Sequence, residues 1–425
     1  MELSNRNGRY LSLFSAFIIH GSVEIPFFIY PVIVLLVGDD LFPGIGVDRW
    51  LALGFLGTIA AASAALPSPL FGRLADRHRR GKLMLFSLFL ATLGSFSIGM
   101  WGDSYIMMMV AQGLLGCALA LYHPPGLSWV TTAFEDETNA QISPKYVRIL
   151  ATHGIGGTLG AAIGPLSVYF LINPLTWRQI YSFWVLPLIV VASTFWILVG
   201  RHEALPGSSD TKDHSNPLST NPVDQFKGPS IPRFPLTLVL LFGFIISISI
   251  TRGIVNFILS PYLAEVKNFE VGTAALFVGL STLVGAFGEI SGGFFADRYG
   301  EKVVLVALAL LQVIILAGIY VFTDRTLLLA LYLLLGILLA FFWPSTNSLV
   351  AKQTKQRGVG FGWVMLTAHL FGALGPVLAG QLRVIDPTQY FLIFATACFC
   401  SVIGFFFLIF FHKSSSGIKL RNHFL

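Results

Sequence analysis

His20 and Glu24 stand four residues apart in a stretch that is otherwise almost wholly apolar. That spacing puts both side chains on one face of a helix. A carboxylate buried in an apolar interior is costly unless it is protonated, paired or wetted, and desolvation penalises the charged form of either group. An imidazole beside such a carboxylate is a place where a proton can be held and released. Both residues are read as proton-coupling groups; the alternative is a fixed hydrogen bond that anchors the first helix. Arg252 is a permanent cation in a second apolar stretch. It can hold an anion, or it can neutralise Glu24 as an internal pair.

His123 lies in Leu121-Tyr122-His123-Pro124-Pro125-Gly126. Proline frees a backbone carbonyl and invites a kink. A polar ring beside that kink reads as a cavity wall, with a packing histidine as the equal alternative. Tyr30, Asn256, Tyr262, Trp343 and Asn347 complete the expected lining, although aromatic residues in helices more often simply pack. His153 and His369 are weaker candidates. Cys117, Cys398 and Cys400 all fall in apolar segments and read as packing residues. The sequence shows no nucleophile–base–metal cluster and no phosphate-binding loop. The chain is therefore not expected to be an enzyme, and no metal or other cofactor is expected.

These residues must be positioned by helices in a membrane. The chain is 55% hydrophobic and 11% charged, against about 25% charged in a soluble domain. Its mean hydropathy is +0.76. A crossing of the hydrocarbon core needs about 20 apolar residues, and about twelve such segments can be read along the chain. They lie near 11–37, 50–71, 83–101, 105–133, 149–172, 179–200, 235–263, 272–294, 302–322, 326–350, 359–381 and 387–411. Each must satisfy its own backbone polar groups, so the expected fold is an all-α membrane protein.

Charge fixes the expected orientation. With the N-terminus cytoplasmic, about 21 Lys and Arg fall in cytoplasmic tails and loops and about five outside. The outer five are Arg49, Arg178, Lys267, Arg325 and Arg383. The expected location is the cell membrane, multi-pass, with both termini cytoplasmic. The net charge of +6 then reflects topology, and nucleic acid is not an expected partner. Protons, membrane lipid and a small-molecule substrate are, and a monomer is the expected unit.

The chain is also duplicated. The segment GRLADRHRRGK from Gly72 returns as GGFFADRYGEK ending at Lys302. His20-Gly21 matches Arg252-Gly253, Tyr30 matches Tyr262, Tyr122-His123-Pro124 matches Phe342-Trp343-Pro344, and Gly164-Pro165 matches Gly375-Pro376. The displacement shortens slowly along the chain, as a tandem duplication with small loop deletions leaves it. Residues 201–234 are rich in Ser, Pro, Asn and Asp and read as a flexible cytoplasmic linker. The expected division is a six-helix half over 1–200, the linker, a second half over 235–412, and a tail over 413–425. Parallel halves of this kind place a substrate near the midplane between them. The glycines of the fifth and eleventh segments, including Gly160, Gly164 and Gly375 beside Pro165 and Pro376, read as sites of close helix packing.

The recurring charged loop resembles the signature loop of the major facilitator superfamily of secondary transporters. The first copy departs from the pattern, with Arg79 where Gly is usual; the second, with Gly300, is closer to it. The resemblance implies that Gly72, Asp76, Arg77 and Arg80, with Gly293, Asp297 and Arg298 in the second copy, latch the cytoplasmic side closed. Glu289 is expected to join that network; the alternative is that the charges only enforce topology. The Gly-rich fifth helix ending in Gly164-Pro165 resembles the motif associated with antiporters in this superfamily. His20-x-x-x-Glu24 with Pro31, the Tyr122-His123-Pro124 segment and Arg357-Gly358-x-x-Phe361-Gly362 together resemble the fosmidomycin-resistance branch, with Glu24 where Asp is typical. That narrower resemblance implies a proton-coupled antiporter exporting small amphiphilic or anionic drugs and metabolites, energised by the proton gradient. The alternatives are a proton-coupled importer or facilitator of a small nutrient, or a receptor that keeps the fold without transport.

Overall fold

The computed structural model describes residues 2–77, 80–134, 146–200, 236–351 and 357–410. The expected linker and tail lie outside them, as do the side chains of Arg77, Asp297 and Asn347. Among the described residues there is no strand. The described residues contain twelve helical spans long and apolar enough to cross a membrane: span 1, Gly8–Leu41; span 2, Arg49–Asp76; span 3, Arg80–Trp101; span 4, Tyr105–Ala133; span 5, Ile149–Leu171; span 6, Trp177–Leu198; span 7, Val239–Glu265; span 8, Val271–Ala296; span 9, Glu301–Val321; span 10, Arg325–Thr346; span 11, Gly362–Ile385; and span 12, Phe391–Phe410. Large apolar side chains such as Phe86, Phe170, Leu186, Phe287, Ile314 and Phe399 point outward, as a hydrocarbon solvent permits.

The two sets of six spans pack by one plan. Span 1 lies along span 5, span 2 along span 4, and span 3 along spans 4 and 6. In the same way span 7 lies along span 11, span 8 along span 10, and span 9 along spans 10 and 12. Span 2 meets span 11 and span 5 meets span 8 across the boundary between the halves.

Small residues make the crossings close. A Cβ on Gly160 would strike the backbone of Gly21, and one on Gly164 would lie 2.6 Å from Ile25 O. In the second half a Cβ on Gly375 would strike Gly253. Pro376 reaches across the halves, with its carbonyl against Gly54 and its ring 3.0 Å from a Cβ on Gly57. The packing glycines expected from the sequence are thus at helix crossings.

Proline divides span 1 but leaves span 4 whole. Span 1 is two helices, Glu2–Phe27 and Tyr30–Leu41, with Pro26 ending the first and Pro31 opening the second. The break falls one turn beyond Glu24. Span 4 keeps its helix through Pro124 and Pro125, and every residue from Ala118 to Thr131 is buried. Span 8 joins span 9 through Gly300, whose φ of +89° favours glycine.

Candidate functional site

A cavity of about 290 Å³ lies between the halves and is lined from both. One wall carries His20, Glu24, His123 and His153, and the other carries Arg252, Glu289, Trp343 and His369. Tyr30 and Asn256 line it as well. His20 and Glu24, read from the sequence as proton-coupling groups, and His123, Arg252, Tyr30, Asn256 and Trp343, read as cavity residues, all line this one cavity.

Glu24 is 7% exposed. Its Oε1 lies 3.5 Å from His20 Nε2 and 3.3 Å from His123 Nε2. His20 Nδ1 is 3.1 Å from the backbone carbonyl of His153. A carbonyl only accepts, so Nδ1 carries the hydrogen. In neutral His20 the Nε2 lone pair then faces a carboxylate oxygen, and the contact becomes attractive when a proton sits on His20 or on Glu24. The donor atoms of the three residues lie within 4.8 Å of one another, close enough to share one proton or one metal cation. The sequence showed no such cluster, because His123 comes from span 4 and only the fold brings it to span 1.

His20 is held on every side. Its ring stacks on His153 at 4.6 Å and on Tyr122 at 4.9 Å. Gly157 leaves room for the imidazole; a Cβ there would strike the ring. Tyr122 donates its hydroxyl hydrogen to Ala16 O at 2.6 Å, so His153 Nε2 donates to the Tyr122 oxygen at 2.8 Å. His153 thus has a defined part in the site, although its sequence signal was weak.

On the facing wall, Arg252 donates through Nη1 to Leu339 O at 2.7 Å. Its guanidinium lies 5.4 Å from the Phe342 ring centre and 5.8 Å from that of Trp343. Two expectations need correction here. Glu289 does not belong to the charged-loop network: it is 3% exposed, lines the cavity, and accepts a hydrogen bond from Thr158 of the other half at 3.4 Å. Arg252 and Glu289 line the same cavity, whereas Glu24 is occupied by the two histidines. Tyr262 is also misplaced. It is outside the cavity lining, with its hydroxyl on Tyr320 O at 2.9 Å, inside an aromatic cluster with Tyr390 and Phe394.

At the charged loops, Gly72 and Gly293 are buried and Asp76 is half-buried. Arg80 donates to Ala75 O at 3.0 Å, Ser128 O at 3.3 Å and Thr132 Oγ1 at 2.9 Å, tying the loop to the end of span 4. Arg298 is exposed, with its guanidinium 5.4 Å from the Tyr299 ring centre. At the opposite end Arg49 pairs with Asp39 at 2.6 Å, Arg178 with Asp40 at 3.3 Å and Arg383 with Glu265 at 2.6 Å. Burial, aided by the charge of Glu265, pushes the Tyr390 hydroxyl well above the usual tyrosine range, so it stays protonated and donates to Glu265 at 2.8 Å.

A sequence profile described as Major Facilitator Superfamily matches residues 12–322 and 241–422. The chain belongs to the major facilitator superfamily. Among its relatives, the sialic acid transporter NanX of Escherichia coli strain K12 is 24% identical, over 76% of this chain and 76% of that protein. The multidrug resistance protein MdtG of Salmonella typhimurium strain LT2 is 24% identical, over 79% of each. The crystal structure of the nucleoside transporter NupG has the same fold, with a TM-score of 0.66 at 17% identity, covering 95% of this chain and 100% of that one. The chain is thus a multi-pass membrane transporter of this superfamily, with a small-molecule substrate.

Proposed function

We propose that this facilitator-superfamily transporter is proton-coupled and moves small organic anions by alternating access of the cavity between its halves. The observation that carries the reading is the pair of opposed walls. One presents a buried carboxylate between two imidazoles, and the other presents a guanidinium backed by aromatic rings. The first can take and release a proton; the second can orient a carboxylate or similar anion. A relative named for sialic acid, itself a carboxylate, supports the anion.

In the cycle, substrate enters from one side and Glu24 changes its proton occupancy. The halves then rock about the span 2–11 and span 5–8 contacts. The charge bias of the loops puts the termini on the cytoplasmic side of the cell membrane, where Asp76 and Arg80 latch the closed state. The energy source is the proton gradient, and the monomer is the working unit. Export of amphiphilic or anionic drugs by exchange, the activity of the fosmidomycin-resistance branch, is supported by the relative named for multidrug resistance and by the Gly-rich span 5.

Flux in proteoliposomes with an imposed pH gradient is the test. Wild-type protein is expected to accumulate a labelled anion against its gradient. Glu24→Gln should insert normally and lose the accumulation, while retaining gradient-independent exchange of labelled for unlabelled substrate. Acceleration of uptake by acid outside marks co-transport; acceleration of efflux marks exchange. Binding without flux marks a receptor. Unchanged pH-driven accumulation in Glu24→Gln removes that residue from the mechanism.

A further inference from the structure

One carboxylate oxygen in the cavity is met by two imidazole nitrogens: Glu24 Oε1 lies 3.5 Å from His20 Nε2 and 3.3 Å from His123 Nε2. All three residues are buried, and their donor atoms lie within 4.8 Å of one another. Two imidazoles and a carboxylate are a donor set for a divalent transition metal. The spacing suits one. Zinc takes imidazole nitrogen and carboxylate oxygen at about 2.0–2.1 Å, so neighbouring donors of a tetrahedron stand about 3.3 Å apart. Two of the three edges are near that length already. The third, between the two imidazole nitrogens, is no more than 4.8 Å. His123 meets the His20 ring edge-on at 5.1 Å between centroids, and rotation of the His123 ring about Cβ–Cγ closes that edge.

The surroundings of His20 are those of a metal ligand. Its Nδ1 hydrogen is given to His153 O at 3.1 Å, which leaves the Nε2 lone pair toward Glu24. Metal-bound histidines almost always donate their second nitrogen to a carbonyl, carboxylate or water, which fixes the tautomer and the ring. Here the ring is also stacked between His153 and Tyr122, and Gly157 leaves the space it fills. The orientation is set by the protein before any cation arrives, so little ordering is left to be done on binding.

The geometry points to a binding site for one divalent first-row transition-metal cation, held by His20 Nε2, Glu24 Oε1 and His123 Nε2, with a fourth coordination position on the cavity. This goes against the expectation from sequence, which had no sign of His123 beside span 1. It stands on the three donors and their spacing, whatever part Glu24 plays in proton coupling. Nitrogen donors select the class of cation: Zn²⁺, Ni²⁺ and Fe²⁺ accept imidazole, whereas Mg²⁺ and Ca²⁺ take oxygen. Three protein ligands leave zinc a fourth position for water or an anionic oxygen. Because all three residues line the cavity, the carboxylate of an organic anion can reach that position.

Isothermal titration calorimetry with Zn²⁺ tests it, on purified full-length protein freed of any affinity tag. Wild-type protein should bind a single tight Zn²⁺ per chain, and about a hundredfold excess of Mg²⁺ should not displace it. Glu24→Gln and His123→Gln should each weaken that binding by about a hundredfold or more, since loss of an outer-shell partner alone costs about ten- to a hundredfold. Affinity unchanged in either variant places the metal elsewhere and overturns the inference. Displacement of Zn²⁺ by Mg²⁺ also overturns it, because an oxygen-only site is then enough. If the variants do not purify folded, X-ray absorption on wild-type protein loaded with one equivalent of Zn²⁺ decides. Two imidazoles and a carboxylate oxygen must appear in the zinc shell, and a shell with one imidazole or none overturns the inference.

Discussion

His123 and His369, one from each half of the transporter, face each other across the cavity with ring centroids 5.8 Å apart. His369 in turn stacks on Trp343 at 6.2 Å, and Trp343 backs Arg252. A row of rings thus links Glu24 to Arg252 and crosses the boundary that must open in every cycle. His369 Nδ1 donates to Met365 O at 3.1 Å, which fixes the ring without using Nε2. His369→Ala should therefore lower the transport rate about tenfold, equal to ~1.4 kcal/mol in the barrier, with a melting temperature within a few degrees of wild type. His369→Phe, which keeps a ring, should recover much of the rate. Equal loss in both variants would mean that Nε2 rather than the ring matters.

The helix crossings make a second, asymmetric prediction. At the span 7–span 11 crossing a Cβ on Gly253 would strike the backbone of Gly372, whereas a Cβ on Gly372 meets Ser249 O at 3.5 Å, an ordinary contact. Gly253→Ala should cost about 3 kcal/mol, because backbone cannot move aside as a flexible side chain can. Gly372→Ala should stay within about 0.5 kcal/mol of wild type. Thermal unfolding in detergent measures both, and equal costs would contradict the crossing geometry.

Much of this was legible in the sequence. Span boundaries follow hydropathy, which is a local property, so they fell within a few residues of the helices. His20 and Glu24 were legible because their relation is one helical turn. The partner of Glu24 on span 4 was not, because Pro124 announces a kink but not what the neighbouring ring touches. Glu289 was misassigned to the loop network because its distance from the loop was misjudged. At 1.5 Å per residue it stands roughly 12 Å above Asp297, well inside the bundle. Tyr262 failed for another reason. A duplicated backbone does not duplicate side-chain partners: Tyr30 donates to Leu53 O at 2.6 Å and faces the cavity, while Tyr262 donates to Tyr320.

Tyr262→Phe gives that correction a direct check. Lys267 Nζ also donates to Tyr320 O, at 3.1 Å, so removing the hydroxyl does not orphan the carbonyl. The variant should lose about 0.5–1 kcal/mol of stability and bind substrate as wild type does. A selective loss of substrate affinity at unchanged stability would return Tyr262 to the cavity.

The end of the bundle opposite the charged loops offers a last prediction, because two roles can be separated there. Arg383 is 6% exposed. Its Nη2 donates to Glu265 Oε2 at 2.6 Å and its Nη1 to Asp386 O at 3.2 Å. Its guanidinium stacks on Tyr390 at 4.4 Å and approaches Trp50 at 5.7 Å. Arg383, Glu265 and Tyr390 all belong to the second half, whereas Trp50 comes from the first. Removing one partner of a buried pair leaves the other uncompensated, but Glu265 is partly exposed, with 26% of its side chain accessible. The expected cost of Arg383→Gln is therefore about 2 kcal/mol, below the range for fully buried pairs. Arg383→Lys should recover little, because the stack and the second hydrogen bond need the planar guanidinium. Arg383→Gln with Glu265→Gln should cost less than the sum of the single changes. Trp50→Ala leaves the ion pair intact and removes the cross-half contact. Because Trp50 is buried in the core, this change should cost about 3–5 kcal/mol, more than Arg383→Gln, while increasing labelling of a cysteine placed at that mouth of the cavity, in a background lacking Cys117, Cys398 and Cys400. If Trp50→Ala leaves labelling unchanged while Arg383→Gln raises it, the closure at this end depends on the ion pair and not on the tryptophan contact.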